Sequence, residues 1–114
     1  MHEQEARKAL KNLYFEMINL KIPRNIENEQ LLNWMEEINE LDPYYVGLAL
    51  SVAEGEKVLL KELYDLEPLK KSLSFIQIDR EGDKQILETF KSYLQIIEKI
   101  DFLLRKIASN KTFS

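Results

Sequence analysis

ILETFKSYLQIIEKIDFLLRKIA, residues 86–108, is the stretch that decides the fold class of this 114-residue chain. Its apolar residues alternate spacings of four and three without a break, in the series Ile86, Phe90, Tyr93, Ile97, Ile100, Leu104 and Ile107. A repeat of 3.5 residues is typical of a helix that packs along one side against other helices. The stretch therefore predicts a long helix over about residues 83–108 and a bundle built around it.

The first part of the chain predicts two more amphipathic helices. One covers residues 3–21, where the apolar positions are Ala6, Leu10, Leu13, Met17 and Leu20. It should end before Pro23, because the residue that precedes a proline is disfavoured in helical geometry. The other covers residues 28–41, with Asn28 as its N-cap.

Asp42-Pro43 is a local signal for the start of a further helix. Aspartate is a favoured N-cap, and proline is favoured at the first helical position, where its missing N–H costs no hydrogen bond. The apolar pattern predicts that this helix continues to residue 66, with Gly55 as the place for a bend.

Four amphipathic helices with short connections bury their apolar faces most economically against one another. Residues 68–77 predict one more short helix. The predicted fold is an all-α antiparallel four-helix bundle with a short extra helix in the 67–82 connection. Residues 1–108 form a single helical-bundle domain in this prediction, and residues 109–114 a short polar C-terminal tail.

Composition and charge exclude several classes of function. Hydrophobic residues make up 45% of the chain and charged residues 32%, and cysteine is absent, which fits a reducing compartment. We expect a cytoplasmic protein, because neither an apolar leader nor an apolar run of roughly 20 residues is present. The net charge is −4, and residues 25–42 hold six acids and no base. Nucleic acid needs a basic surface and is therefore not an expected partner, and neither is a membrane.

The sequence offers few groups for catalysis. Its one histidine is His2, near the terminus, so no Ser–His–Asp or Cys–His arrangement can form. It also lacks a glycine-rich phosphate loop and the Glu-x-x-His pairs that hold metals in bundles. We expect no enzymatic activity and no cofactor.

Glu56 is the acid whose helical projection faces the predicted core. If the helix is continuous through Gly55, Glu56 has no base on its own helix to pair with, and burial would raise its pKa. A pocket between helices could then form among Glu56, Tyr45 and Tyr93. The alternative is that Glu56 lies in water and that both tyrosines are core residues.

Two surfaces could instead serve a partner protein. Phe15, Ile18 and Ile22 project away from the main apolar face of the first helix, beside Lys11, and Phe102 projects away from the 86–108 seam. Exposed apolar groups of this kind often mark interaction sites, although the 67–82 connection could also cover Phe15. The second surface is the acidic outer face of the helix at 28–41, with Glu29, Glu36, Glu37 and Glu40.

Two functions remain open on this evidence. The first is a small non-enzymatic interaction module of a regulatory, adaptor or immunity-like kind, which binds another protein or pairs with itself through the first helix. The second is a small-ligand binder or enzyme that uses the pocket near Glu56.

Overall fold

The computed structural model describes residues 2–23 and 25–109. It contains four α-helices and a 3₁₀ turn at Leu60–Glu62, and no strand among the residues described. The helices are α1 (Glu3–Asn19), α2 (Glu29–Ala53), α3 (Glu67–Ser74) and α4 (Glu81–Ser109). The all-α bundle with a short extra helix in the 67–82 connection is confirmed. Ser109 is the last residue of α4, and the rest of the predicted tail, 110–114, lies outside the described residues.

Contacts between the helix ends define the topology. Arg7, near the start of α1, donates a hydrogen bond to the Val52 carbonyl near the end of α2, so these two helices are antiparallel. Trp34 stacks on Phe90 early in α2 and α4, and Tyr45 bonds to a residue further along α4, so α2 and α4 are parallel.

Residues 54–80, the crossing segment, connect α2 to α4 and occupy the fourth position of the bundle. The segment runs back along α2 because its successive residues bond to earlier and earlier residues of that helix. Tyr64 bonds to Tyr45, Leu69 to Trp34, and Gln77 to Gln30. Consecutive elements therefore alternate in direction, as in an antiparallel bundle, with α3 as the helical part of the fourth element.

The core lies along the inner side of α4. All members of its seam after Ile86 are at most 5% exposed, which confirms the pattern predicted from 86–108. The Trp34 ring stacks on Phe90 with centroids 4.9 Å apart, and its indole N–H donates to the Leu69 carbonyl at 3.0 Å. α1 and α2 contribute the facing side chains, which are Ala6, Leu10, Leu13, Met17, Leu31, Ile38, Tyr45, Ala49 and Val52.

α2 passes through Pro43 without a break, so the prediction of two separate helices joined at Asp42-Pro43 is wrong. A proline inside a helix removes a hydrogen bond and costs about 3 kcal/mol. Here Pro43 and Asn39, whose carbonyl loses its N–H partner, are both exposed, so water can reach that carbonyl. Ile38 and Tyr45 bury one continuous face across the proline, and this burial offsets the cost.

Gly55 ends α2, and the predicted continuation of this helix to residue 66 is therefore wrong. Gly55 has φ 113°, a conformation that strains any L side chain. The Glu56 N–H bonds to the Ser51 carbonyl at 3.0 Å, and the Gly55 N–H to the Val52 carbonyl at 3.1 Å. This pair of bonds is the Schellman motif, which satisfies the last carbonyls of a helix.

Candidate interaction surfaces

Glu56 is exposed, so the hypothesis of a buried acid at this position is wrong. The reason is the Schellman turn at Gly55, which takes Glu56 out of helical register and places it on the surface. Its backbone carbonyl accepts a hydrogen bond of 3.0 Å from Arg7. A groove beside it is lined by neighbours that include Arg7 and Val58, but by neither Glu56 nor a tyrosine.

Tyr45 is fully buried and anchors the crossing segment through hydrogen bonds. Its hydroxyl donates to Asp101 Oδ1 at 2.7 Å and accepts from the Tyr64 N–H at 3.1 Å. Arg105 completes this network by donating to Asp101 Oδ2 at 2.8 Å and to the Tyr64 carbonyl at 2.9 Å. Burial, and after it the hydrogen bond to Asp101, raises the pKa of Tyr45. These contacts make Tyr45 a structural residue rather than a pocket residue.

Tyr93 is 2% exposed, and its hydroxyl has no hydrogen bond within the part of the chain that the structure describes. Burial raises the pKa of Tyr93, and the nearby Asp42 carboxylate adds to the effect. Tyr45 and Tyr93 are thus both closed off from solvent, while Glu56 faces it. The three residues proposed for a ligand pocket are not brought together.

The apolar stripe predicted on the first helix is shorter than expected. Phe15 and Ile18 are 47% and 52% exposed, so the crossing segment does not cover Phe15. Ile22 lies after the end of α1 and packs against the core instead. Lys11 forms an ion pair of 3.4 Å with Glu54, across the α1–α2 junction. The surface that remains consists of two half-exposed apolar side chains beside Lys11.

Phe102 lies at the edge of a groove between α1 and α4. The groove measures about 760 Å³, and its apolar lining comes from Ala9, Leu13, Leu103 and Phe102. The polar lining residues are Asn12, Glu16, Gln95, Glu98 and Lys99. Phe102 is 56% exposed, and the Lys106 ammonium lies 4.7 Å from its ring centre. An apolar floor with a polar rim is the form of a groove that takes an amphipathic helix. Phe15 does not line this groove, so Phe15 and Phe102 do not form one surface there.

The four predicted acids on the outer face of α2, Glu29, Glu36, Glu37 and Glu40, are all exposed. None of them forms an ion pair with another described residue. Two of these acids, Glu37 and Glu40, also line grooves between α2 and the crossing segment. The acidic face is thus combined with a concave surface, which the sequence pattern did not indicate.

The α2–crossing groove consists of two adjoining hollows of about 300 and 340 Å³ that share Glu37. Towards the middle of α2 its lining includes Glu40, Leu41, Tyr64, Asp65 and Leu69. Towards the start of α2 it includes Trp34, Phe75 and Ile76. Phe75 is 75% exposed and Tyr64 is 53% exposed. Both aromatic residues were missed at the sequence level, because their exposure depends on the path of the crossing segment.

Arg7 is a second residue that the sequence did not single out. It donates to the Val52 and Glu56 carbonyls and pairs with Glu3 at 3.4 Å. A cation at the C-terminus of a helix is favourable, because the free carbonyls there carry partial negative charge. The signal that could have revealed this contact is the Schellman end of α2, which leaves carbonyls beside the start of an antiparallel α1.

The described residues provide neither a membrane-spanning helix nor a cluster of ligands for a metal ion. No helix there combines the length and the apolar character needed to cross a bilayer. No group of three or more acidic or histidine side chains in the same residues could hold a metal ion.

Comparison with known proteins gives no match: no family model, no curated protein and no solved structure is similar to this chain. A function for the chain therefore has to be inferred from its own surfaces.

Proposed function

We propose that the chain is a small, non-enzymatic protein-interaction module whose binding site is the α1–α4 groove beside Phe102. The observation that carries this proposal is the groove itself, with an apolar floor, a polar rim and a half-exposed phenylalanine at its edge. Aromatic side chains in such positions are the residues that most often dominate the binding energy of an interface. The ligand in this proposal is an amphipathic helix of another protein.

The same proposal places the module in the cytoplasm, with neither nucleic acid nor a membrane as partner. Its support is the sequence, which has no cysteine and carries a net charge of −4. Self-association is the version of the proposal that Phe15 and Ile18 support, since both are about half exposed on α1. A small-ligand function has no such support, because its three residues lie apart.

Affinity purification with two variants tests the groove. The tagged chain, its Phe102→Asp variant and its Leu60→Asp variant are each used as bait in extract of the cells that produce the protein. Leu60 is the matched control, because it is 51% exposed and does not line the groove. We expect a protein that binds the wild type and the Leu60 variant and is lost with Phe102→Asp.

Isothermal titration with the purified partner then measures the effect. Removal of a central aromatic residue should weaken binding at least tenfold, because such residues contribute about 2 kcal/mol or more. Equal binding by all three baits would contradict the groove as the site. Absence of any partner, including a second copy of the chain, would contradict the proposal as a whole.

A further inference from the structure

One face of α1 has the chemistry of a basic, apolar ligand. Lys8, Lys11, Phe15 and Ile18, the basic stripe, are spaced by three, four and three residues and therefore share one side of the helix. Lys8 is exposed, and Phe15 and Ile18 are half exposed. At 100° per residue, the acids of α1 lie about 100° or more from the middle of this stripe. The acid that contacts the stripe is Glu54 at the end of α2, which pairs with Lys11 at 3.4 Å.

The α2–crossing groove has the complementary chemistry. The residues that line it include Glu37, Glu40 and Asp65 but no lysine or arginine. The α1–α4 groove differs, because Lys99 lies among its acids. The acids of the α2–crossing groove are concentrated around Leu41, and its exposed Phe75 lies at the other end.

The stripe and the groove also match in length and in order. Lys8 to Ile18 spans about 15 Å of helix, and Gln30 to Leu41, the part of α2 along the groove, spans about 17 Å. The stripe is basic at one end and apolar at the other. The groove has Glu40 and Asp65, together with Tyr64, at one end and Trp34, Phe75 and Ile76 at the other, and Glu37 lines both.

We propose that the α2–crossing groove binds the basic stripe of a second copy of this chain. In this arrangement Lys8 lies against Glu37, Glu40 and Asp65, and Lys11 exchanges its exposed partner Glu54 for the same acids. Phe15 and Ile18 lie against Phe75. The incoming α1 then runs antiparallel to α2. The inference specifies the self-association version of the proposed function, and it uses a surface other than the Phe102 groove.

The contact joins two different surfaces, and each chain carries one of each. Two copies related by a two-fold axis can form it twice, which gives a closed pair, whereas other rotations give a longer chain of copies. Either assembly is a second copy bound in the groove. Ion pairs between exposed groups are screened by salt, so the assembly should weaken as ionic strength rises.

A charge-swap experiment tests the pairing. Sedimentation velocity at low salt is run on the wild type, on Lys8→Glu and on Glu40→Lys, over a wide range of concentration. Both positions are exposed and form no ion pair in the described residues, so neither substitution should disturb the fold, which circular dichroism verifies. We expect the wild type to associate and each variant alone to associate at least tenfold more weakly.

The mixture of the two variants provides the decisive measurement. In an equal mixture, the stripe of a Lys8→Glu chain can bind the groove of a Glu40→Lys chain, because the two substituted positions again carry opposite charges. The other contact of such a pair joins an unchanged stripe to an unchanged groove. Association of the mixture should therefore recover to within a few-fold of the wild type. Lys70→Glu is the matched control, because Lys70 is exposed and lines neither this groove nor the basic stripe. It should associate like the wild type.

Three results would overturn the inference. They are a wild type that stays monomeric at every concentration, charge-reversal variants that associate like the wild type, and a mixture that does not recover. A monomer that still binds another protein through Phe102 would overturn this inference alone and leave the proposed function standing. A pair that forms as described, while no other protein binds at Phe102, would support this inference and contradict the α1–α4 groove as the binding site in the proposed function.

Discussion

α4 and the segment 54–66 carry apolar residues at the same helical spacings, yet only α4 is a helix. Leu59, Leu63 and Leu66 are spaced by four and three, as are the seam residues of α4. In the structure Leu59 is 53% exposed, while Leu63 and Leu66 only partly pack against the core. The difference arises at Gly55, where the Schellman turn ends α2 and the positive φ takes the following residues out of the helix.

The two regions are also held in place by different interactions. α4 is held by apolar burial, since its seam side chains are almost fully enclosed. The segment 54–66 buries Val58 but is held in addition by polar groups, because Tyr45 and Arg105 bond to the backbone of Tyr64. The comparison teaches that an apolar period predicts a helix only where the preceding turn permits the helix to continue. Substitutions in each region can separate the two kinds of support.

Phe90→Ala should have the largest effect, because it removes a buried ring that stacks on Trp34 at the centre of the bundle. Loss of a core phenylalanine costs about 3–5 kcal/mol of unfolding free energy. Urea denaturation measures the change. Phe102→Ala is the matched control on the same helix, and since Phe102 is 56% exposed it should change stability by only about 0.5 kcal/mol. Similar losses in the two variants would contradict apolar burial as the support of α4.

Tyr45→Phe should have the next largest effect. It removes the hydroxyl that bonds to Asp101 and Tyr64, and hydrogen bonds to charged groups contribute about 1.5–3 kcal/mol. Tyr93→Phe is the control, because the Tyr93 hydroxyl is equally buried, and the nearby Asp42 carboxylate forms no hydrogen bond of normal geometry with it in the described structure. Urea denaturation should show a clear loss for Tyr45→Phe and no loss, or a gain, for Tyr93→Phe. The reverse order would show that the hydroxyl of Tyr45 does not hold the crossing segment.

Alkaline pH should weaken both regions together. The pKa values of Tyr45 and Tyr93 are raised above the ordinary value of 10.0, chiefly by burial. The fold favours the protonated hydroxyls, so their contribution to the unfolding free energy is complete below pH 10. It is lost above pH 10, because the same tyrosines then ionise in the unfolded chain while they stay protonated in the folded one. The unfolding free energy should fall by about 1–2 kcal/mol at pH 10.5. Urea curves at pH 8 and 10.5 measure the loss. If a variant with both Tyr45→Phe and Tyr93→Phe lost the same free energy between these pH values, ionisation of the two tyrosines would not be its cause.

Gly55→Ala should have the smallest effect of the four. An added Cβ meets no atom within 4 Å, so the cost is conformational and comes from the positive φ alone. We expect a loss of about 1 kcal/mol in urea denaturation. The helical signal in circular dichroism should not increase, because the bonds at Tyr64 still hold the crossing segment. An increase that matched a helix through residue 66 would mean that Gly55 alone prevents α2 from continuing.

Some candidate site residues could be predicted from helical projection, and others depend on where the chain leaves the helix. The exposed positions of Phe102 and of the four acids on α2 follow from helical projection, and the structure places them on the surface as projected. The position of Glu56 could not be projected, because the projection assumed a helix that ends before it. Phe75 and Tyr64 could not be identified, since no local pattern records which side of the crossing segment meets α2.

The sequence by itself determined the all-α class, the long helix of 86–108 and the inner faces of α1 and α2, because the spacing of apolar residues along the chain directly indicates which face of a helix is buried. The tertiary structure decided the rest. It carried α2 through Pro43, since burial on both sides of the proline outweighs one lost hydrogen bond. It also fixed the path of residues 54–80, and with it the α2–crossing groove, because that path depends on contacts between Tyr45, Asp101 and Arg105, which are far apart in the chain.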